Sequence, residues 1–540
     1  MCNYYKTKRN KIMSSKENKE DKKQDSLLSR KKFLVSSGLL AGYFLTRPLN
    51  SALANTKLTE SLTSLKSKKP NILFIVTDQM SASMLSCTGN KYVRTPNLDK
   101  LANSGIRFER AYATDPVCVP SRYSLFSADM PSQVGLFHNG QLSSITVPQQ
   151  KLDLAMGSVF KKAGYRTVYG GKTHLVGREG KFDKAELYGF ENLTSDWYDE
   201  LAVKAGEFLK QKHDKPFLLV TSFLNPHDIC YMAIKDYEEA QNKKRLGGEY
   251  KLDSAAVNHL TWALQKQNGV SDEEFYAKYC PPLPANFEIP KNEPTAFMAD
   301  KPVFMHWARD NWTEKDWRLH RWAYARLTES VDQKIGQVLD ALKESGQEEN
   351  TIIIYTSDHG EQDGSHRIDE KAFLYEEAAR VPLLVSWKGK IKPGQIDNTH
   401  LVSNGLDILP TMCDLAGTSI PSAYRGHSLK PLLYKMRDEN WRQYLVVEDN
   451  IARLVLWDRF KYMVGKDISN GKFMADEAVK LDPNAKVIRE MLIDLKSDPG
   501  EMNNLAFDNN YHKELMKGRR LLFKWYKECN FNIEDGYKIE

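Results

Sequence analysis

Short, uninterrupted apolar runs alternate along the chain with longer stretches of helical periodicity. Asn71-Ile72-Leu73-Phe74-Ile75-Val76-Thr77 is one such run. A strand with one wet face would alternate apolar with polar residues, so a continuous run predicts a strand buried on both faces. Similar runs occupy Thr167–Tyr169, Phe217–Thr221, Ile352–Tyr355 and Pro382–Ser386. Between them, Leu152–Ala163 carries apolar residues at helical spacing and stops at Gly164, a good left-handed C′ residue. A longer helical pattern runs over 317–344 and ends near Gly346. Strands alternating with helices predict the α/β class, with a doubly wound, mainly parallel sheet.

The same pattern divides the chain. Residues 55–69 are polar and rich in Lys, Ser and Thr, as a linker is, and order is expected from Pro70. Residues 70–435 read as the main α/β domain. Within it, 228–316 crowds Tyr, Trp, Pro and charged residues, including Pro281-Pro282-Leu283-Pro284, Trp262, Trp307 and Trp312. That stretch is expected as an insertion on the substrate side of the sheet. Over 436–540 the pattern becomes Tyr444–Glu448, Leu454–Trp457 and Tyr462–Val464, then a helix over His512–Lys527. Several strands followed by one helix predict a smaller C-terminal α+β domain. No internal repeat is present.

Composition changes this picture at one end only. The 540 residues carry a net charge of +7, but residues 1–54 alone hold 12 Lys/Arg against 4 Asp/Glu, leaving the remainder at −1. The basic surplus is therefore terminal, and composition gives no case for a nucleic-acid partner. The terminal segment has the build of an export signal: basic residues up to Lys32, an apolar run Phe33–Leu45, then Ser51-Ala52-Leu53-Ala54 as a small-residue cleavage site. The run of 13 residues is too short to span a bilayer, so no stable membrane anchor is expected. Ser29-Arg30-Lys31-Lys32-Phe33-Leu34 resembles a twin-arginine signal with Lys in place of the second Arg. The expected location is periplasmic or secreted. Seven scattered cysteines without a C-x-x-C pair exclude a disulfide scaffold or a zinc ribbon. Their odd number leaves at least one thiol to be explained, and Cys118 is the candidate.

In an open α/β sheet, ligands sit beyond the carboxyl ends of the strands. The residues there are Asp78-Gln79 after the first run, Lys172 and His174 after the second, His227 after the third, and Asp358-His359 after the fourth. Asp78, Gln79 and Asp358 offer the oxygen ligands preferred by a hard divalent cation. Imidazole is a less usual partner for such an ion, so His359 stands open between ligating it and hydrogen-bonding a substrate oxygen. Arg122, Lys172 and Lys371 have the charge to hold a tetrahedral oxyanion, although Lys371 on its own reads as an ordinary solvated cation.

Cys118-Val119-Pro120-Ser121-Arg122 resembles the signature of the type I sulfatases, a family of the alkaline phosphatase superfamily. Further motifs follow in order: Gly171-Lys172-Thr173-His174, Asn225-Pro226-His227, Ser357-Asp358-His359-Gly360-Glu361, Lys371, Tyr375-Glu376-Glu377, Arg380-Val381-Pro382, and Asp498-Pro499-Gly500-Glu501 with Asn504-Leu505. The resemblance covers about 70–530, and among its members the bacterial polysaccharide sulfatases are the expected type. It implies that a maturation enzyme oxidises Cys118 to formylglycine (3-oxoalanine). It implies that Asp78, Gln79, Asp358 and His359 hold Ca²⁺, with modified Cys118 as a further ligand. Arg122 would hold and activate the aldehyde hydrate, Lys172 and Lys371 would grip sulfate oxygens, and His174 and His227 would serve as base and acid. The expected reaction is hydrolysis of sulfate monoesters on a sulfated carbohydrate. Two departures stand out. Many members have Asp-Asp where this chain has Asp78-Gln79, a pairing that resembles choline sulfatases and phosphonate monoester hydrolases. Pro226-His227-Asp228 replaces the usual P-H-x-P. The alternatives are therefore a phosphonate monoester or phosphodiester hydrolase, a choline sulfatase, and, outside catalysis, an inactive glycan-binding homologue.

Overall fold

A computed structural model describes residues 69–178, 181, 183–241, 254–299, 301–436, 440–466 and 488–529. The expected export signal over 1–54, and the linker up to residue 68, lie outside the described residues.

The main sheet has eight strands: β1 Asn71–Asp78, β2 Ile106–Phe108, β4 Arg166–Gly171, β5 Glu191–Thr194, β6 Phe217–Pro226, β7 Thr351–Ser357, β8 Leu383–Ser386 and β9 Gln395–Asp397. A short parallel pair, β3 Ala111–Tyr112 with β10 Val402–Ser403, lies beside it. The order across the main sheet is β5-β4-β6-β1-β7-β8-β2-β9. All neighbours pair in parallel except at β8, which runs antiparallel to both β7 and β2. The sequence places the strand at Pro382–Ser386 correctly, but its direction is set by the return of the chain after β7 and leaves no mark in the pattern.

The apolar runs are continuous because the sheet is covered on both faces and side chains alternate between them. Leu73 and Ile75 of β1 pack into one layer with Val331, Ile335 and Val338 of the helix Glu314–Glu344. Ile72, Phe74 and Val76 pack into the other, with Tyr123 and Phe126 of the helix Cys118–Ser127 and Ile408 of the helix Asn404–Leu415. The long helix starts at a capping box between Thr313 and Asp316 and ends just before Gly346, whose φ of +70° suits a glycine.

One expected helix is two. Leu152–Ala163 resolves into Gln149–Leu152 and Met156–Lys162, broken where Ala155 takes an extended conformation (ψ 155°) as the N-cap of the second. Leu152, Ala155 and Met156 are all buried. Packing of these three, rather than a Pro or Gly, sets the break.

The second sheet is antiparallel, β11 Leu445–Glu448, β12 Ala452–Trp457, β13 Phe460–Gly465 and β14 Glu490–Asp494, in that order. The helix His512–Glu528 lies against it, with Leu515, Leu522 and Trp525 packed on Val455, Tyr462 and Leu492. This sheet is tied to the main one. Glu448 N donates to Thr114 O at 2.8 Å. Buried Lys461 pairs with Glu376 at 3.2 Å and with Glu501 at 2.7 Å. The sequence shows three of its strands and not β14.

Candidate active site

β4, β6, β1 and β7 are consecutive neighbours in the sheet. Their carboxyl ends are where the sequence places Lys172, His227, Asp78 and Asp358. Adjacent parallel strands lie about 4.8 Å apart, so short side chains from four strand ends meet at one edge.

Asp78, Cys118, Asp358 and His359 form the floor of this edge. All four are fully buried, and one donor atom from each lies within 4.8 Å of the others. Cys118 is the first residue of the helix Cys118–Ser127, which brings its Sγ to 3.1 Å from His359 Nε2 and 3.8 Å from Asp78 Oδ1. Arg122, one turn further on, binds both carboxylates. Its Nε donates to Asp358 Oδ2 at 2.8 Å and its Nη2 to Asp78 Oδ2 at 3.0 Å. Nη1 donates to Ser222 Oγ at 2.8 Å and to Lys172 O at 3.0 Å. Lys172 Nζ lies 2.6 Å from Asp78 Oδ2.

These partners set the electrostatics. Burial alone would raise the Asp78 carboxyl, but Lys172, His227, Arg122 and His359 hold it well below the usual carboxylate range. Burial and Asp78 both oppose ionisation of the Cys118 thiol, yet Lys172, Lys371 and His359 bring it below its ordinary value. His359 is pulled up to about 9, against burial, by Asp358, Cys118 and Asp78.

Above the floor sit groups that are only partly buried: Lys371, His174 and His227. Burial, with Lys172 and Lys371, keeps the His227 imidazole well below its usual range. Burial, with Lys172 and Arg122, does the same to His174. The same surroundings therefore favour the uncharged form of both rings.

Gln79 adopts a left-handed backbone, φ 68°, uncommon outside glycine. Tyr324 OH donates to its carbonyl at 2.7 Å, and its N–H donates to Asp358 Oδ1 at 3.1 Å. Its side-chain oxygen accepts from Lys371 Nζ at 2.6 Å, and its Nε2 donates to Glu361 Oε2 at 2.5 Å. Gln79, expected among the metal ligands, thus meets Asp358 through its backbone and Lys371 through its side chain.

The two carboxylates of this floor suit a hard divalent cation, and the Cys118 thiol does not. Bond lengths of about 2.4 Å to a shared ion allow ligands to lie up to about 4.8 Å apart. Two buried carboxylates supply the charge, and Arg122 and Lys172 hold them in place. Sequence reasoning gave no role to Glu361, Ser222, Tyr324 or Ser121, whose Oγ donates to Asp358 O at 2.5 Å. Glu361 and Ser121 carried a signal, as the last residue of Ser-Asp-His-Gly-Glu and the fourth of Cys118-Val119-Pro120-Ser121-Arg122. Ser222 lies inside a buried strand and has no local mark.

Comparison with known proteins identifies the family. The family described as Sulfatase matches residues 70–418, and the one described as N-sulphoglucosamine sulphohydrolase, C-terminal, matches residues 364–525. An N-acetylglucosamine-6-O-sulfatase of Bacteroides thetaiotaomicron is 25% identical over 511 residues, covering 87% of this chain and 88% of that protein. A Delta 4,5-hexuronate-2-O-sulfatase of the same organism is 28% identical over 470 residues, covering 84% and 88%. The solved structure of a 2-O GAG sulfatase superposes with a TM-score of 0.68 at 26% identity, covering 88% of this chain and 95% of that one.

Proposed function

The chain belongs to the sulfatase family and is a sulfate-ester hydrolase, and from that premise we propose that its substrate is a sulfated carbohydrate, cleaved with a formylglycine made from Cys118 and a calcium ion held at Asp78, Gln79, Asp358, His359 and residue 118. The observation that carries the proposal is the thiol in the metal cluster. A hard cation such as Ca²⁺ prefers oxygen, and thiolate selects softer metals. Cys118 as encoded is therefore the misfit in an otherwise suitable donor set, and its oxidation to an aldehyde removes the misfit. Two relatives named for removing sulfate from defined sugar positions support the carbohydrate part.

When present, the ion and the aldehyde hydrate supply a hydroxyl of lowered pKa as the nucleophile toward sulfur. The remaining roles fall to side chains already in position. Arg122 holds Asp78 and Asp358 and lies one helical turn from residue 118. Lys172 and Lys371 bind non-bridging sulfate oxygens and balance the negative charge that builds there. His174 and His227 flank the nucleophile and the leaving oxygen as base and acid. For His227 to protonate the leaving sugar oxygen, the incoming sulfate charge must raise its pKa, a shift of the kind a bound anion produces. Gln79 keeps Lys371 in place, and as a ligand to the ion it would exchange that bond.

The test is a parallel hydrolysis assay. The protein is co-expressed with a formylglycine-generating enzyme, with Cys118→Ala as control. The substrates are sulfated oligosaccharides, choline-O-sulfate, and aryl sulfate, phosphonate and phosphodiester probes. Sulfate release from the oligosaccharides, lost in the control, supports the proposal. Faster cleavage of phosphorus esters than of any sulfate would refute it, and would assign the neutral Gln79 to a phosphohydrolase.

A further inference from the structure

We propose that Lys301 is a positioning residue for Lys371, fixing the strained backbone from which Lys371 reaches into the site. The inference rests on the sulfate-binding role given to Lys371 above. It adds a residue that lies outside the sequence motifs, in the stretch 228–316.

Glu370 and Ala372, on either side of Lys371, both take left-handed backbones, with φ of 74° and 66°. Neither is a glycine, and this conformation crowds a Cβ against the main chain. Asp363, His366 and Arg367 of the same segment do likewise, at 49°, 59° and 55°. Such a backbone persists only where its surroundings over-determine it.

On the Glu370 side the restraints are local. Glu361 Oε1 accepts from the Glu370 N–H at 2.6 Å, and Gln362 N donates to Glu370 O at 2.9 Å. On the Ala372 side they come from far along the chain. Ala372 N donates to Pro116 O at 3.0 Å, just before Cys118. Ala372 O accepts from Lys301 Nζ. That ammonium is itself fixed, 3.5 Å from Asp449 Oδ2 and 4.5 Å from the centre of the Phe373 ring, on a side chain only 6% exposed. A hydrogen bond from a charged donor is stronger than one between neutral groups. With its ammonium directed at Ala372 O and Asp449, Lys301 acts through Lys371 rather than on the substrate. Without this bond the peptide that follows Lys371 can turn, and Lys371 Nζ leaves its place beside Gln79.

The test is titration calorimetry with inorganic sulfate, in the presence of Ca²⁺, on the full chain carrying Cys118→Ala. Lys371→Met should weaken sulfate about tenfold or more, the loss of a charged contact. Lys301→Met should weaken it about fivefold or more, as that contact is displaced. Lys301→Arg, which keeps a charged donor, should recover most of that loss. The double variant Lys301→Met/Lys371→Met should bind no worse than Lys371→Met alone, because the first change acts only through the second. Asp449→Asn keeps its shape but loosens the Lys301 ammonium. It should weaken sulfate in the same direction, and it carries the test where Lys301→Met does not fold. If Lys371→Met weakens sulfate while Lys301→Met and Asp449→Asn leave it unchanged, the inference is overturned and the role of Lys371 stands. If the double variant is weaker again than Lys371→Met, Lys301 acts on sulfate by another route, and the inference is overturned as well. If Lys371→Met has no effect, the reading beneath the inference fails, and the inference with it.

Discussion

Lys371 Nζ donates to the side-chain oxygen of Gln79 across 2.6 Å, and that bond fixes which way the amide points. The opposite end faces Glu361, whose carboxylate accepts from Nε2 at 2.5 Å. Gln79→Glu keeps the length of the side chain but turns the donor into a second carboxylate facing Glu361. The expected cost at neutral pH is about 1–3 kcal/mol, for one lost bond and an unsatisfied buried group. The sign with pH follows. Burial already raises the Glu361 carboxyl above the ordinary 4.5 of a glutamate, and a second carboxylate facing it raises both. A shared proton therefore restores the contact at low pH, and the stability it gives is lost as pH rises. Thermal melts of the two proteins across pH should diverge upward in pH. A constant gap contradicts this reading.

Arg122 is the buried cation to which both Asp78 and Asp358 are bonded. Arg122→Met removes it and leaves two desolvated carboxylates, a loss of about 3–5 kcal/mol. A bound divalent cation would replace the missing charge. Added Ca²⁺ should therefore raise the melting temperature of the variant more than that of the parent. Equal shifts would place the ion away from these carboxylates.

The sequence made the site legible for a physical reason. Strands buried on both faces are continuous apolar runs, so the residues just past Val76, Tyr169, Thr221 and Tyr355 identify themselves. The helix break at Ala155 and the reversal of β8 are settled by packing across the fold, and neither has a local signal. The same holds for the partners of the site. Ser222 and Tyr324 lie in a strand and a helix that bury them for ordinary reasons, and only the folded chain brings one to Arg122 and the other to Gln79. The type of Gln79 marks it as an oxygen donor, and its contacts with Lys371 and Glu361 arise only from the fold.

Cys118 lies at the start of a buried helix with its thiol against His359. Cys118→Ala removes one atom and adds none, so the fold should hold, with a melting temperature near that of the parent. Activity should fall by at least about 10³-fold, as for loss of a nucleophile. Cys118→Ser should be equally inactive in a host whose maturation enzyme accepts only cysteine. Retained turnover in the alanine variant rules out the nucleophile assigned above.

His227 is held below its ordinary value of 6.5 by burial, Lys172 and Lys371. A lowered folded pKa means that the unfolded chain binds the proton more readily. The stability linked to this residue is then present above pH 6.5 and declines as pH falls below it. In the Cys118→Ala background, an NMR titration of the His227 ring should give a midpoint below 6.5. Lys371→Met removes one neighbouring positive charge and should move that midpoint upward. An unchanged midpoint would separate the two side chains and weaken the role given to Lys371.

Gly360 follows Asp358 and His359 of the buried cluster, and the backbone leaves no room there for a side chain. Its N–H donates to Ala378 O at 2.8 Å. A Cβ at this position would come within 2.0 Å of Glu377 O and 3.2 Å of Ala378 Cα. Both are backbone atoms, and neither can rotate away. Gly360→Ala must therefore push the strand end from the Glu376–Ala379 helix, at about 1–3 kcal/mol for overpacking. His359 N donates to Asp358 Oδ1 at 2.8 Å, and His359 Nδ1 contacts Gly360 O at 2.9 Å, so the shift passes directly to both side chains. The variant should lose kcat well beyond its loss of stability, and its affinity for Ca²⁺ should fall. If it melts lower but keeps full kcat and calcium affinity, the close approach serves packing alone.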